Sequence, residues 1–240
     1  EAGVDVNGTS ETGNTALMLA AWVGRIDLEV LCVLLQAEAQ VDAQNNSGTT
    51  ALMNAAAQGF TDKVHTLIEA GADVNLQDKL GWTSLQKAAR LGHADVVRIL
   101  LEAGAEIDVR DKEGNTPLMY AARQGMAEVM QLLLEAGAEL DDQDKAGNTA
   151  LIYACHQGHT EAVQTLQEMG ANLHIKNRMG WTAMMHAARQ GHTQLATSHF
   201  IAGSRAARPG AGRSGQYGSD AGGPGRGTGT IAHLAGRRRR

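Results

Sequence analysis

The chain has 240 residues and a formal net charge of −5, from 21 Lys+Arg against 26 Asp+Glu. That length buries a real core without disulfide staples. Its two cysteines, Cys32 and Cys155, exclude a disulfide-rich scaffold and a zinc site made of cysteines alone. The longest apolar runs, such as Val30–Leu35, fall far short of the roughly 18 residues of a membrane span. No signal peptide is visible, although a chain opening at Glu1 leaves a removed leader open.

A string Gly-x-Thr-x-Leu/Met recurs at Gly13, Gly48, Gly81, Gly114, Gly147 and Gly180, with a first interval of 35 residues and four of 33. Residues 1–12, ahead of it, open with EAGVDVN, which matches EAGADVN at 69–75. They read as the end of a preceding repeat, and the chain as a piece of a longer array. The repeat starting near 13 has two extra residues between Gly24 and Ala37, and Glu38 stands where later units have glycine. A lengthened or distorted second helix is expected there.

Residues 111–138, DKEGNTPLMYAARQGMAEVMQLLLEAGA, show the regular unit. Thr116 sits where an N-cap hydroxyl is wanted, and Pro117 follows at the first helical position, where its missing N–H is harmless. Leu118, Ala121 and Ala122 share one face, and Gly125 ends this short helix. In the second helix Val129, Leu132 and Leu133 point inward, and Glu128 lies near the positive N-terminal end. Gly137 supplies a left-handed residue after that helix. The polar stretch that follows suits a projecting hairpin. Helices of about ten residues do not persist alone in water, so each unit must stack on its neighbour.

The repeat starting near 180 decays: His199 stands where an earlier unit has Leu100, and the pattern ends at Gly203. From Gly203 onward come eight Arg and one acidic residue, Asp220, against 13 Lys+Arg and 25 Asp+Glu in the rest. Residues 204–240 lack the apolar groups to offset their ordering entropy and are expected to be disordered. Loss of the period inside a helix favours an unstructured tail, or an out-of-frame translation, over a functional cationic arm.

The 33-residue period, the TPLM and TALM strings, the GH before the second helix and the LLEAGA ending resemble the ankyrin repeat over residues 1–203. The resemblance implies an all-α solenoid of helix-turn-helix units joined by β-hairpin loops, whose hairpins and first helices form a concave face. It also implies an intracellular, cytoplasmic protein, which two unpaired cysteines fit. The family's TPLH histidine is replaced by Met18, Met53, Gln86, Met119, Ile152 and Met185. Apolar packing is expected to stand in for the hydrogen bonds that histidine makes.

No catalytic motif and no cofactor signature is present. Cys155 takes a small-alanine position and reads as core. His156, His186 and His199 raise a zinc site, but too few ligands converge, and no metal is expected. The function expected is a non-catalytic scaffold or adaptor, with no small-molecule substrate. Its partner is an unidentified protein. The alternatives are a regulatory or targeting segment of a larger enzyme or channel, and nucleic-acid or acidic-surface contact by the tail at Arg237, Arg238, Arg239 and Arg240. An acidic body argues against nucleic-acid binding elsewhere.

Binding is expected where the repeat leaves positions unconstrained: hairpin tips, the fifth residue of the first helical string, and the residues after the Ala pair. These hold Trp22, Trp82, Arg90, Tyr120, Arg123, Tyr153, His156, Trp181 and Arg189. Trp, Tyr and Arg dominate interface hot spots. The competing reading has the tyrosines packing between repeats and the tryptophans shielding the tips. On the binding reading, Trp82→Ala with Tyr120→Ala spares stability and abolishes capture.

Overall fold

The computed structural model describes residues 5–24 and 28–195. All of them belong to the first of two units into which the chain divides, Glu1–Ala206 and Ala207–Arg240. The expectations for the tail at 204–240 and for His199 lie outside the described residues.

Short helices alternate along the first unit. The first helices of the repeats are α1 (Ala16–Trp22), α3 (Ala51–Gln58), α5 (Ser84–Leu91), α7 (Pro117–Gln124), α9 (Ala150–Gln157) and α11 (Ala183–Arg189). The second helices are α2 (Leu28–Gln36), α4 (Thr61–Glu69), α6 (Ala94–Glu102), α8 (Ala127–Glu135) and α10 (Thr160–Glu168). First helices stack on first helices and second on second, each pair packing within its own repeat.

Local chemistry starts and stops each element. Every first helix is capped by a threonine whose Oγ1 accepts the N–H three residues on, as Thr83 does from Gln86 at 3.3 Å. Gly59, Gly92, Gly125 and Gly158 end α3, α5, α7 and α9 in the left-handed region, which a β-carbon disfavours. A β-carbon at Gly92 would also lie 2.6 Å from Met126 Sδ of the next repeat, so glycine is needed there twice over.

The core is a spine of leucine and alanine. Leu17, Leu52, Leu85, Leu118 and Leu151 are buried, as are the small pairs from Ala20–Ala21 to Ala154–Cys155. Small side chains let successive first helices approach closely, so each repeat completes its neighbour's core. Met18, Met53, Met119 and Ile152 are buried where the histidine was absent, and the apolar replacement holds at these positions. Gln86 departs from it. Its Oε1 accepts the Thr83 N–H at 3.0 Å, while its Nε2 donates to Asn115 O of the next repeat at 2.8 Å.

The projecting loops close as hydrogen-bonded turns, and among the described residues the only bridge outside helices is the antiparallel pair Thr9–Thr15. Consecutive loops are laddered together: Lys79 N donates to Ser47 O, Lys112 N to Leu80 O, Lys145 N to Glu113 O and Arg178 N to Ala146 O, at 2.9–3.0 Å.

Repeat one departs from the later units. Helix α2 has nine residues, as have α4, α6, α8 and α10. Its described span matches theirs; residues 25–27 lie outside the described residues, and α1 ends at Trp22 with Val23 as its cap. Without a left-handed glycine there, α1 is tied from outside: the buried Lys63 Nζ donates to Ala20 O and Val23 O, both at 2.7 Å. Val30 is 46% exposed, whereas its counterparts Val96, Val129 and Ala162 are fully buried against a preceding repeat.

Glu38 adopts φ 61°, the only positive φ outside glycine among the described residues. It takes the place that Gly71, Gly104, Gly137 and Gly170 hold in later repeats. A side chain in this region costs about 1–2 kcal/mol, partly offset by the lower unfolded-state entropy of a non-glycine residue. Glu38→Gly is therefore expected to raise stability by about 0.5–1 kcal/mol, read as a higher urea midpoint.

Candidate functional site

The loop that opens each unit is built on an Asx turn. Asp78 Oδ1 accepts from the N–H of Leu80 and Trp82 at 2.9 and 3.0 Å. Asp111, Asp144 and Asn177 repeat the arrangement with the residues two and four further on. Such a side chain mimics a backbone turn.

The second carboxylate oxygen looks toward the first helix and meets the residue nine positions on. Lys87 Nζ lies 2.7 Å from Asp78 Oδ2. Tyr120 donates its hydroxyl to Asp111 Oδ2, and Tyr153 donates to Asp144 Oδ2. Asn177 Nδ2 donates to His186 Nε2 at 3.1 Å. The fifth residue of the string, counted from the capping threonine, therefore braces the loop in four successive repeats. It is not the unconstrained position that the sequence suggested.

Aromatic rings fill the space above these braces. Trp82 packs on Tyr120 with ring centroids 4.2 Å apart, and Trp181 on His186 at 5.2 Å. His156 lies 5.5 Å from His186, edge to face. Tyr120 is buried, while Trp82, Tyr153, His156 and Trp181 are half-buried. Trp22, 55% exposed, belongs to repeat one and stands apart from this row.

Guanidinium groups close the arrangement from outside. Arg90 lies 5.3 Å from the Trp82 ring, Arg123 5.5 Å from Tyr153 and Arg189 4.8 Å from Trp181. All three are exposed, and none makes an ion pair among the described residues. Each repeats the same post-alanine position, so the cation–π stacking recurs along one face. Two clefts lie beside Arg123 and Arg90. One, of about 240 Å³, is lined by Arg123, Ile152, Tyr153, His156 and Met179. The other, of about 230 Å³, is lined by Leu80, Trp82, Lys87, Arg90 and Leu91.

Titration follows these contacts. Burial, then the hydrogen bond to Asp111 and that carboxylate's charge, hold the Tyr120 phenol far above its ordinary value. The same causes, with Asp144 as partner, push Tyr153 up to about 12. Burial pushes the Cys155 thiol up to about 12, away from the thiolate a nucleophile needs. His186 is lowered by burial and by the neighbouring His156 and Arg189.

Three further histidines reach back to backbone carbonyls. His93, His159 and His192 donate from Nε2 to Ala57 O, Arg123 O and His156 O of the preceding repeat, at 3.0, 3.1 and 3.3 Å. Among the described residues no three His, Cys, Asp or Glu side chains converge as a metal site. None of the described helices is long and apolar enough to cross a membrane.

Paired helices on a fixed period, laddered through their loops and sharing one core, define a helical repeat solenoid. The profile described as ankyrin repeats (3 copies) matches residues 2–78, 52–144 and 136–198, and the chain belongs to the ankyrin repeat family. A search of curated proteins returned no match. Ankyrin repeats are in general protein–protein interaction modules and typically non-catalytic.

The bracing corrects one expectation. Removing the Tyr120 ring takes away a buried side chain of α7 and leaves Asp111 Oδ2 without its phenol donor, so the variant with Trp82→Ala is expected to lose stability as well. Tyr120→Phe alone is expected to cost about 1–3 kcal/mol in urea unfolding. Both phenols are raised in the folded state, so their stabilisation is complete below pH 10 and is lost as pH climbs past 10 toward and beyond 12. The wild type is therefore expected to weaken above pH 10, and Tyr120→Phe with Tyr153→Phe to weaken less steeply. Iodoacetamide is expected to modify the part-exposed Cys32 and to spare the buried Cys155 until the array unfolds, as read by peptide mass.

Proposed function

We propose that this chain is a non-catalytic adaptor that holds a partner protein against the hairpin tips and the adjoining ends of the first helices. The observation that carries this reading is the row of Arg90, Arg123 and Arg189. Three exposed guanidinium groups lie over Trp82, Tyr153 and Trp181 without an intramolecular carboxylate. Stacked arginine loses little freedom on binding and presents a planar fork of donors. The half-buried aromatics and the two clefts beside them offer apolar area for the partner's side chains. Tyr120 serves this surface from below by fixing the loop that carries Asn115, and Trp22 lies outside it. Its two free cysteines support a reducing compartment, the cytoplasm.

A second reading is favoured by Val30 and Val33, exposed at 46% and 56% on repeat one. An apolar edge at positions that other repeats bury or half-bury fits an interaction segment packed within a larger protein. Capture experiments separate the two by what is retained. The Arg90→Ala, Arg123→Ala, Arg189→Ala triple variant is expected to keep the wild-type urea midpoint within about 1 kcal/mol and to lose at least about tenfold of the captured partner. Undiminished capture by that variant, with loss on Val30→Asp instead, would transfer the binding role to repeat one.

A further inference from the structure

The acidic character of the array is not spread evenly. Segments 78–92, 111–125, 144–158 and 177–191, the loops and first helices of four repeats, carry eight Lys+Arg against four Asp+Glu. Segments 93–110, 126–143 and 159–176, the second helices and outer connections, carry three against eleven. The corresponding loop and first-helix stretches of the first two repeats, 12–24 and 45–59, carry no charge.

Folding sharpens this division. Of the four acidic residues on the basic side, Asp78, Asp111 and Asp144 are buried at 8%, 7% and 9% exposure. Their oxygens are occupied by the turn amides and by Lys87, Tyr120 and Tyr153. Only Glu113 remains exposed. Two parallel rows of cations are left facing water. One, at the loop tips, is Lys79, Lys112, Lys145 and Arg178, the residues whose backbone N–H groups build the loop-to-loop ladder. The other, at the helix ends, is Arg90, Arg123 and Arg189. None of the seven is paired with a carboxylate among the described residues. Apolar side chains stand between the rows, with Leu80 65%, Leu91 49% and Met179 67% exposed.

We infer that repeats three to six hold an extended acidic segment of a partner protein, running along the stack between these two rows. This rests on the adaptor reading above and names the chemistry of its partner. Charge complementarity selects the segment, because the opposite side of the array repels an anion. The spacing sets its pattern. Stacked helices lie about 8–10 Å apart, and an extended polyproline II chain rises about 3.1 Å per residue with three residues per turn, so one repeat spans about three residues and every third side chain returns to the same face. Acidic side chains at every third position meet successive cations, and apolar ones between them enter the clefts at Trp82 and Tyr153. A nucleic acid fits less well: its charges are far denser, about one per 1.7 Å of duplex, and the exposed Leu80, Leu91 and Met179 find no use on a phosphate chain.

The test uses the full chain and fluorescence anisotropy with a labelled peptide of about twelve residues, a repeat of Glu-Ser-Leu. The peptides of the same length with Gln or Lys for Glu serve as controls. Only the Glu peptide is expected to bind, and added salt is expected to weaken it. Lys79→Glu, Lys112→Glu, Lys145→Glu together reverse the tip row, leave every stacked arginine and aromatic in place, and are expected to weaken it about tenfold or more. A circular-dichroism melt verifies that this variant folds. Equal affinity of the folded variant and the wild type, binding of the Lys peptide, or tighter binding of an oligothymidylate of matched length would overturn the inference. If the arginine triple variant loses its captured partner while the Glu peptide never binds, this inference fails and the adaptor reading stands. If capture is indifferent to both rows, both fall.

Discussion

A helix of seven to nine residues does not persist in water, and every described helix of this chain is that short. Neighbour contact is thus the condition for any of this structure to exist. It takes three forms: the leucine–alanine spine, the ladder of loop amides and carbonyls, and the histidines that reach back to the preceding repeat. Because each contact joins only adjacent units, stability is a sum of local terms, and the surface is free to vary wherever no such contact falls.

Freedom of that kind is narrower than a sequence comparison within the chain implies. Lys87, Tyr120, Tyr153 and His186 look variable, and variation at a regular position reads as a solvent-facing choice. Each instead answers a partner nine residues earlier, and the partner changes with it: Asp where the helix offers Lys or Tyr, Asn where it offers His. The pairing was present in the sequence as a covariation between two columns of the repeat. Neither column shows it alone.

The rest of the architecture was legible for a physical reason. Caps, left-handed glycines and the small-residue spine are local demands that recur in every unit, so six imperfect copies reinforce one another. Glu38 and the surplus residues of repeat one are visible as departures, but that Lys63 of repeat two ties the end of α1 is encoded in no single unit. Net charge was the least informative quantity. Summed over the body it argues against binding anions, whereas on one side Asp78, Asp111 and Asp144 are buried and the charges that face water are mostly cationic. Arg90, Arg123 and Arg189 stood out by composition; that Trp82, Tyr153 and Trp181 would serve as platforms beneath them required the fold.

The ammonium group that seals the end of α1 belongs to α4, in the following repeat. Chain connectivity and energetic connectivity therefore part company at this point. As the N-terminal edge opens, α2 can peel away with the outer connection while α1 remains bolted to repeat two. The smallest cooperative block at that edge is then half a repeat, offset from the sequence period, and amide protons of α1 outlast those of α2 in hydrogen exchange.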